Sequence, residues 1–308
     1  MKIRPGSVGD FPVFARLLNE HNMRLRGETL WDVDELAATL ISATGAPVDN
    51  DRYIEIDGVT VAAIHAHLSE PFTLGTFTLA APPHPQRATS VRLLLDAGER
   101  IVHSRQEAGP GMVFEVAVPA EDPDLIAIVE AAGYHLVYRM TTLEADVFDA
   151  PAATPPPDVT LSTFDVDRDL EDGYQVIKQT FPPDLGEWHL SRRDYEYVQR
   201  NDPTALPGLS LIARDADGPV AIALNYLDTM QPSSGFIGSL AVLPRRQHEG
   251  IGTAVGLASF ERFRRQGWHH ARLTTIFALD ATPDGNRFYT ALGMRPIFDD
   301  LMLRKGAN

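Results

Sequence analysis

The chain repeats itself at long range, and a chain that does so is built from copies of one folding unit. A shift of 161 positions lays Leu79-Ala80-Ala81-Pro82-Pro83-His84-Pro85-Gln86 on Leu240-Ala241-Val242-Leu243-Pro244-Arg245-Arg246-Gln247 without a gap. A shift of 160 lays Ala132-Gly133-Tyr134 on Leu292-Gly293-Met294. Two anchors at almost one offset indicate duplicated domains. Between the copies, residues 150–157 read Ala-Pro-Ala-Ala-Thr-Pro-Pro-Pro. Proline there excludes both helix interior and central strand, so the chain should run extended over the surface. The expected organisation is a first domain at 1–150, a proline-rich linker at 151–157 and a second domain at 158–308. With 308 residues, 44% of them hydrophobic, there is enough apolar side chain for two cores.

The second copy carries a segment whose chemistry the first lacks. Residues 240–253 read LAVLPRRQHEGIGT, an apolar strand end followed by a basic loop and by two glycines at a helix start. Gly250 and Gly252 have no Cβ, so the backbone there can turn tightly and approach a bulky anion. The first four N–H groups of the helix have no intrahelical partner, and the helix dipole adds roughly half a positive charge at that end. A pyrophosphate satisfies both. A P-loop would need Gly-Lys-Ser/Thr, but Thr253-Ala254 follow Gly252. A dinucleotide fingerprint would need a third glycine where Val255 stands, and an acidic residue about 20 positions on. The plain alternative is a strand-to-helix turn shaped by two glycines, with Arg245 and Arg246 as solvated loop charges or a locally positive rim.

Gln247-His248-Glu249-Gly250-Ile251-Gly252, preceded by Val242-Leu243-Pro244, resembles motif A of the GNAT family of acyl-CoA-dependent N-acyltransferases. Downstream, Asn286-Arg287-Phe288-Tyr289-Thr290-Ala291-Leu292-Gly293-Met294 is similar to that family's later Phe-Tyr-x-x-Leu-Gly-Phe segment. The resemblance implies an α/β fold of two tandem GNAT domains, each a mixed, mostly antiparallel sheet flanked by helices, as in mycothiol synthase-like two-domain members. It implies acetyl-CoA as cosubstrate and no metal. Leu240, Ala241 and Val242 would hold the pantetheine arm by main-chain bonds. The loop amides of Gln247, His248, Glu249, Gly250, Ile251, Gly252 and Thr253 would hold the pyrophosphate. Tyr289 matches the usual general acid, set against the reading of an ordinary buried phenol.

The activity so implied is acetyl transfer to a primary amine of a small molecule. Without cysteine, direct transfer in a ternary complex is favoured over a thioester enzyme intermediate. Two departures bear on this. Members often carry Asn seven residues before the tyrosine, where Thr282 stands, while Asn286 is three before it. Many also carry an acidic residue on the strand before the loop, where this chain has Gly238 and Ser239. The general base is left among Asp228, Glu187 and water. A catalytically inactive acyl-CoA-binding sensor or assembly module is the alternative.

The repeat breaks where the chemistry would be. Gly250 falls on Thr89, Gly252 on Val91 and Tyr289 on Val129. The first half is therefore expected to be a degenerate copy with a closed cradle, serving as packing partner and as one wall of the substrate cleft.

Patterning predicts strands at 159–164, 209–213, 220–227, 236–242 and 271–277, and helices at 170–181 and 195–200. Ile251, Ala254, Val255 and Ala258 recur at helical spacing, and Gly267 can end that helix. Pro283 suits the first turn of another, and 302–304 is expected to close the second sheet. A net charge of −15 disfavours broad nucleic-acid binding and favours an amine-bearing partner. The absence of cysteine excludes disulfides and thiolate metal sites. No apolar run has membrane-spanning length and the N-terminus lacks a signal core, so a cytoplasmic monomer or homodimer is expected. His65 and His67 share one strand face without a third ligand and read as structural. His269 and His270 read as surface or strand-edge residues. The segment 181–188, with prolines, acids and Trp188, reads equally as a substrate wall or as an ordered loop filling a core gap.

Overall fold

The computed structural model describes all residues except 30–32, 34–49, 70–73, 106–107, 109–110, 182–190, 229–230, 232, 278–286 and 307–308. In chain order the first half forms β1 (Lys2–Pro5), α1 (Phe11–Arg26), β2 (Asp51–Ile56), β3 (Val59–Ser69), β4 (Leu74–Ala80), α2 (Arg87–His103), β5 (Val113–Pro119), α3 (Pro123–Ala131) and β6 (His135–Asp146). The second half forms β7 (Thr160–Thr163), α4 (Val166–Thr180), α5 (Arg192–Asn201), β8 (Leu211–Asp215), β9 (Gly218–Leu227), β10 (Ser234–Val242), α6 (Ile251–Arg265), β11 (His270–Phe277), α7 (Arg287–Ala291) and β12 (Arg295–Gly306).

Two compact units result, Met1–Met140 with Phe298–Asn308, and Thr141–Ile297. This division differs from the expected one. The proline-rich segment lies inside the second unit, and the chain changes unit within β6 and within β12. Residues 302–304, expected to close the second sheet, instead pair with β5 in the first unit, Leu303 opposite Val116 and Arg304 opposite Glu115.

The units share one plan. In the first, β1, β2, β3 and β4 follow one another antiparallel, β4 runs parallel to β5, and β5 pairs antiparallel with β12. In the second, β7, β8, β9 and β10 are antiparallel, β10 runs parallel to β11, and β6 neighbours β11. The two-residue period of β9 divides the second core between faces. Ile222 and Leu224 pack with Phe164 and Ile177 toward α4, while Ala221 and Ala223 pack with Val255, Phe260 and Phe263 of α6. Each such phenylalanine contributes roughly 1.5–3 kcal/mol by burial. In the first unit Tyr53 and Ala63 pack with Phe14 and Leu17 of α1, and Ile54 and Ile64 with Leu94 and Leu95 of α2.

Capping explains the helix starts. Asp165 accepts from the N–H groups of Asp167 and Arg168 at α4, and Asp122 accepts from that of Leu125 at α3. The second repeat anchor is conserved in shape: Gly133 and Gly293 both have positive φ just past α3 and α7. There Tyr134 N–H bonds Val129 C=O, and Met294 N–H bonds Tyr289 C=O. Helix α6 ends at Arg265, with Gly267 left-handed just beyond. The Pro283 expectation falls outside the described residues.

Candidate functional site

The strand leading to the glycine loop is bent by a bulge. Pairing of β10 with β9 shifts register between Ile237 and Ser239, leaving Gly238 without a partner. An extra residue of this kind raises local twist and turns the strand. A larger residue is excluded at Gly238 because a Cβ would lie 2.5 Å from the ring of Tyr226. Tyr226 is itself fixed by a 2.9 Å bond from Gln199 Nε2. The bulge is also an extra residue of the second copy, which moves the repeat from a shift of 160 before it to 161 after it. A Cβ on Gly75 would meet Val102 and one on Gly235 would meet Phe263, so these glycines correspond at a shift of 160, before the bulge. Leu79 and Leu240 correspond at 161, after it. In the first unit β3 and β4 pair without any register shift.

Beyond the bulge β10 parts from β11. Their parallel pairing runs through three positions, from Ser234 opposite His270 to Phe236 opposite Arg272, although β10 continues to Val242 and β11 to Phe277. Main-chain groups along that edge of 237–242 have no ladder partner among the described residues, and a ligand can take them. Leu240 and Val242 face the α6 side of the sheet and Ala241 faces the α4 side.

The loop then forms a turn rich in free amides. His248 has φ +65° and Gly250 φ +84°, with Glu249 of ordinary hand between them. Alternating hand of this sort gathers successive N–H groups into an anion-sized hollow. A non-glycine residue with positive φ is uncommon and concentrates at functional sites. The first helical bond of α6 is Ala254 N–H to Gly250 C=O at 3.0 Å. The amides of Ile251, Gly252 and Thr253 precede it, and no side chain caps them.

The two glycines have different reasons to be glycine. Gly250 needs its left-handed backbone and has open space where a Cβ would stand. Gly252 has an ordinary φ, but a Cβ would stand 3.2 Å from Phe288 and 3.3 Å from Val242. Gln247 serves the loop's shape, its N–H bonding Pro244 C=O at 3.4 Å and its side-chain amide donating to Val242 C=O at 3.0 Å. Arg246 is not a solvated charge. Its guanidinium is shared among Asp158, Asp215 and Glu249, and Arg245 lies 3.6 Å from Asp215. These carboxylates offset the expected positive rim, leaving main-chain N–H groups as the loop's donors.

Tyr289 lies half-buried on α7 and donates from its hydroxyl to Thr275 Oγ1 at 2.6 Å. Thr275 stands on β11 past the last position paired with β10, so the phenol reaches the parted stretch. Burial raises this phenol above its ordinary value, and the bond to Thr275 opposes that rise. Near neutrality Tyr289 keeps its proton. Asp228 is buried, with Oδ2 3.7 Å from Arg272 Nε, and Arg272 bonds Glu144 at 2.9 Å. That places Asp228 in an ion-pair network. Glu187, Thr282, Asn286 and residues 182–188 of the expected substrate wall lie outside the described residues.

The corresponding stretch of the first unit is built differently. Helix α2 begins at Arg87, which corresponds to His248, so helix replaces the loop three residues early. Arg87 is buried, bonding Ala81 C=O, both oxygens of Asp122 and His21. Val91, at the place of Gly252, is fully buried, as is Val129 at the place of Tyr289.

Sequence reasoning missed Thr275, the Gly238 bulge and the Arg246 anchor. Both repeat anchors lie after the bulge, so the difference between their shifts carried no signal for it. The other two partners are distant in sequence and carry no local pattern. His65 is buried against Asp51 at 2.6 Å, and among the described residues no three metal-ligating side chains converge. A cavity of about 640 Å³ near Asp165, Gln199 and Arg200 lies at the α4 start, away from the glycine loop. No helix among the described residues is long and apolar enough to cross a membrane.

No protein-family model matches the chain, and no curated protein matches it. Among solved structures, a GCN5-related N-acetyltransferase from Sphaerobacter thermophilus superposes with a TM-score of 0.81 at 19% identity, over 99% of this chain and 95% of that one. A tandem GNAT protein from the clavulanic acid biosynthesis pathway gives 0.75 at 16%, over 100% and 98%. A glucosamine N-acetyltransferase region of a fungal multi-domain β-N-acetylglucosaminidase gives 0.72 at 14%, over 99% of this chain and 38% of that one. The chain has the tandem GNAT fold.

Proposed function

We propose that this chain is an acetyl-CoA-dependent N-acetyltransferase whose second unit binds the cosubstrate and acetylates a primary amine of a small molecule directly. The contrast between the two copies supports this reading most. One copy has a bulged strand, left-handed residues at His248 and Gly250 and an uncapped helix start, while the other has continuous pairing and a salt-bridged Arg87. The hollow fits a diphosphate because its donors are fixed main-chain N–H groups, which cost no rearrangement on binding.

Acetyl-CoA, when bound, supplies an activated thioester whose acetyl group the amine accepts. The amides of His248 through Thr253 hold the diphosphate end. The free edge of Leu240, Ala241 and Val242 holds the arm and orients a donor toward the reacting carbonyl. Tyr289, protonated near neutrality, is assigned the role of proton donor to the departing coenzyme A thiolate, its hydroxyl turning from Thr275 Oγ1 to give up the proton. With Gly238 and Ser239 at the usual acidic positions and Asp228 in an ion pair, the amine's proton is assigned to water or to Glu187. An overall charge of −15 favours approach of a cationic amine.

The missing strand carboxylate favours one other reading, an acyl-CoA-binding sensor. Thiol release from acetyl-CoA across a panel of small amines, beside calorimetric binding, separates the two. Turnover with any primary amine supports the enzyme, binding without turnover supports the sensor, and absence of binding contradicts both.

A further inference from the structure

The last strand of each half completes the other half's unit. From Phe298 onward β12 belongs to the first unit, beside β5, and from Thr141 onward β6 belongs to the second, beside β11. Both junctions hold an ion pair at the same place in the repeat, with opposite polarity and with the resident side chain buried. In the first unit Glu115 on the resident strand faces Arg304 on the incoming one, Nε to Oε1 2.6 Å. In the second, Arg272 is resident and Glu144 incoming, at 2.9 Å. The equivalence is fixed by packing. Gly75 and Gly235 occupy matching places and pair with Phe114 and Ala271, so the next residues, Glu115 and Arg272, correspond. Glu144 corresponds to Arg304 at the shift of 160. Thr142 facing Thr274, with Val147 N–H bonding His269 C=O, continues the same antiparallel register.

Had each half kept its own last strand, these registers would set Glu115 against Glu144 and Arg272 against Arg304. The Glu115 and Arg272 side chains are 0% and 3% exposed, so water cannot screen the repulsion. The next position discriminates again. Lys305 Nζ bonds Glu99 at 2.8 Å and 3.1 Å and stands 5.5 Å from the Tyr134 ring. Its counterparts in the second unit, Ala145, Phe260 and Met294, share one apolar cluster. An unexchanged β12 would drive Lys305 into that cluster and leave Glu99 beside Ala145.

We propose that residues 144–145 and 304–305 form a recognition surface by which each sheet accepts the other half's last strand and rejects its own. The first sheet fits a strand carrying Arg-Lys, and the second fits one carrying Glu-Ala. This is independent of the acyl-transfer reading.

The absence of cysteine lets introduced thiols report the pairing in the full chain. Ala117 faces Met302 in β5–β12, and would face Thr142 in the rejected pairing. Chains carrying Ala117→Cys with either Met302→Cys or Thr142→Cys are unfolded, refolded under mild oxidation and mapped by peptide mass. In the native background the 117–302 crosslink forms and the 117–142 crosslink does not. Exchanging the labels, with Glu144→Arg, Ala145→Lys, Arg304→Glu and Lys305→Ala, is expected to invert that preference. Retention of 117–302 as the dominant crosslink overturns the proposal. Should neither form, the chain with Glu115→Arg, Arg304→Glu and Lys305→Ala decides. It keeps an attractive exchanged pair while making the unexchanged one attractive too, so appearance of the 117–142 crosslink supports the proposal and its absence overturns it.

Discussion

Gly250 and Gly252 show how one residue type serves two physical needs within a single motif. Gly250 is held at φ +84°, so Gly250→Ala pays about 1–2 kcal/mol of backbone strain and should distort the amide hollow. Calorimetry should show weaker acetyl-CoA binding with little change in the apolar core. At Tyr289 the expected split is between binding and rate. Tyr289→Phe should leave the acetyl-CoA Kd unchanged and lower kcat by roughly 10²–10⁴-fold, the usual reach of a positioned proton donor. The sign of the pH effect follows from the raised phenol. A donor must be protonated, so its contribution persists through neutrality and fades only as pH rises past a value above the ordinary 10.0. A basic limb of kcat at or below neutral pH, removed by Tyr289→Phe, would contradict the assignment.

Among elements, β10 matters through its bulge. Gly238→Ala would bring a methyl within 2.5 Å of the Tyr226 ring, forcing either the bulge or the ring to move. Weaker acetyl-CoA binding is expected, read by calorimetry, and unchanged affinity would show that the bulge does not shape the site. At the corresponding end of the first sheet, Asp122 ties α3 to Arg87 and His21. Its carboxyl stands at about 2 against burial, held down mainly by Arg87. A depressed carboxyl stabilises fully above its ordinary 3.8, and this stability is lost as pH falls toward 2. His21 is pushed below its ordinary 6.5, chiefly by burial, so its stabilising effect is lost in the same direction, beginning nearer 6.5. Acid should therefore weaken the fold in denaturant titrations. Asp122→Asn should cost roughly 3–5 kcal/mol at neutral pH by leaving Arg87 buried and unpaired.

The apolar stripe of α6, the strand before it and the glycine loop were legible because their signals are local in sequence. The start of α2 was not, because the turn that replaces the loop is stabilised by Asp122 and His21, each far along the chain. The exchange of β6 and β12 was hidden for a related reason: the charges that distinguish the two strands, Glu144 against Arg304 and Ala145 against Lys305, find their partners far away in sequence. Binary pattern specifies that a strand belongs in a sheet, and charge specifies which sheet.

At the scale of the whole molecule, the two units share one plan, and the proposed anion-binding hollow belongs to the second alone. Isothermal titration of the full chain with acetyl-CoA tests this most directly, with Gly252→Val and Val91→Gly beside it. One site per chain is predicted, lost with Gly252→Val, whose side chain would crowd Phe288 and Val242, and untouched by Val91→Gly. Two sites, no site, or a single site indifferent to Gly252→Val would contradict the account.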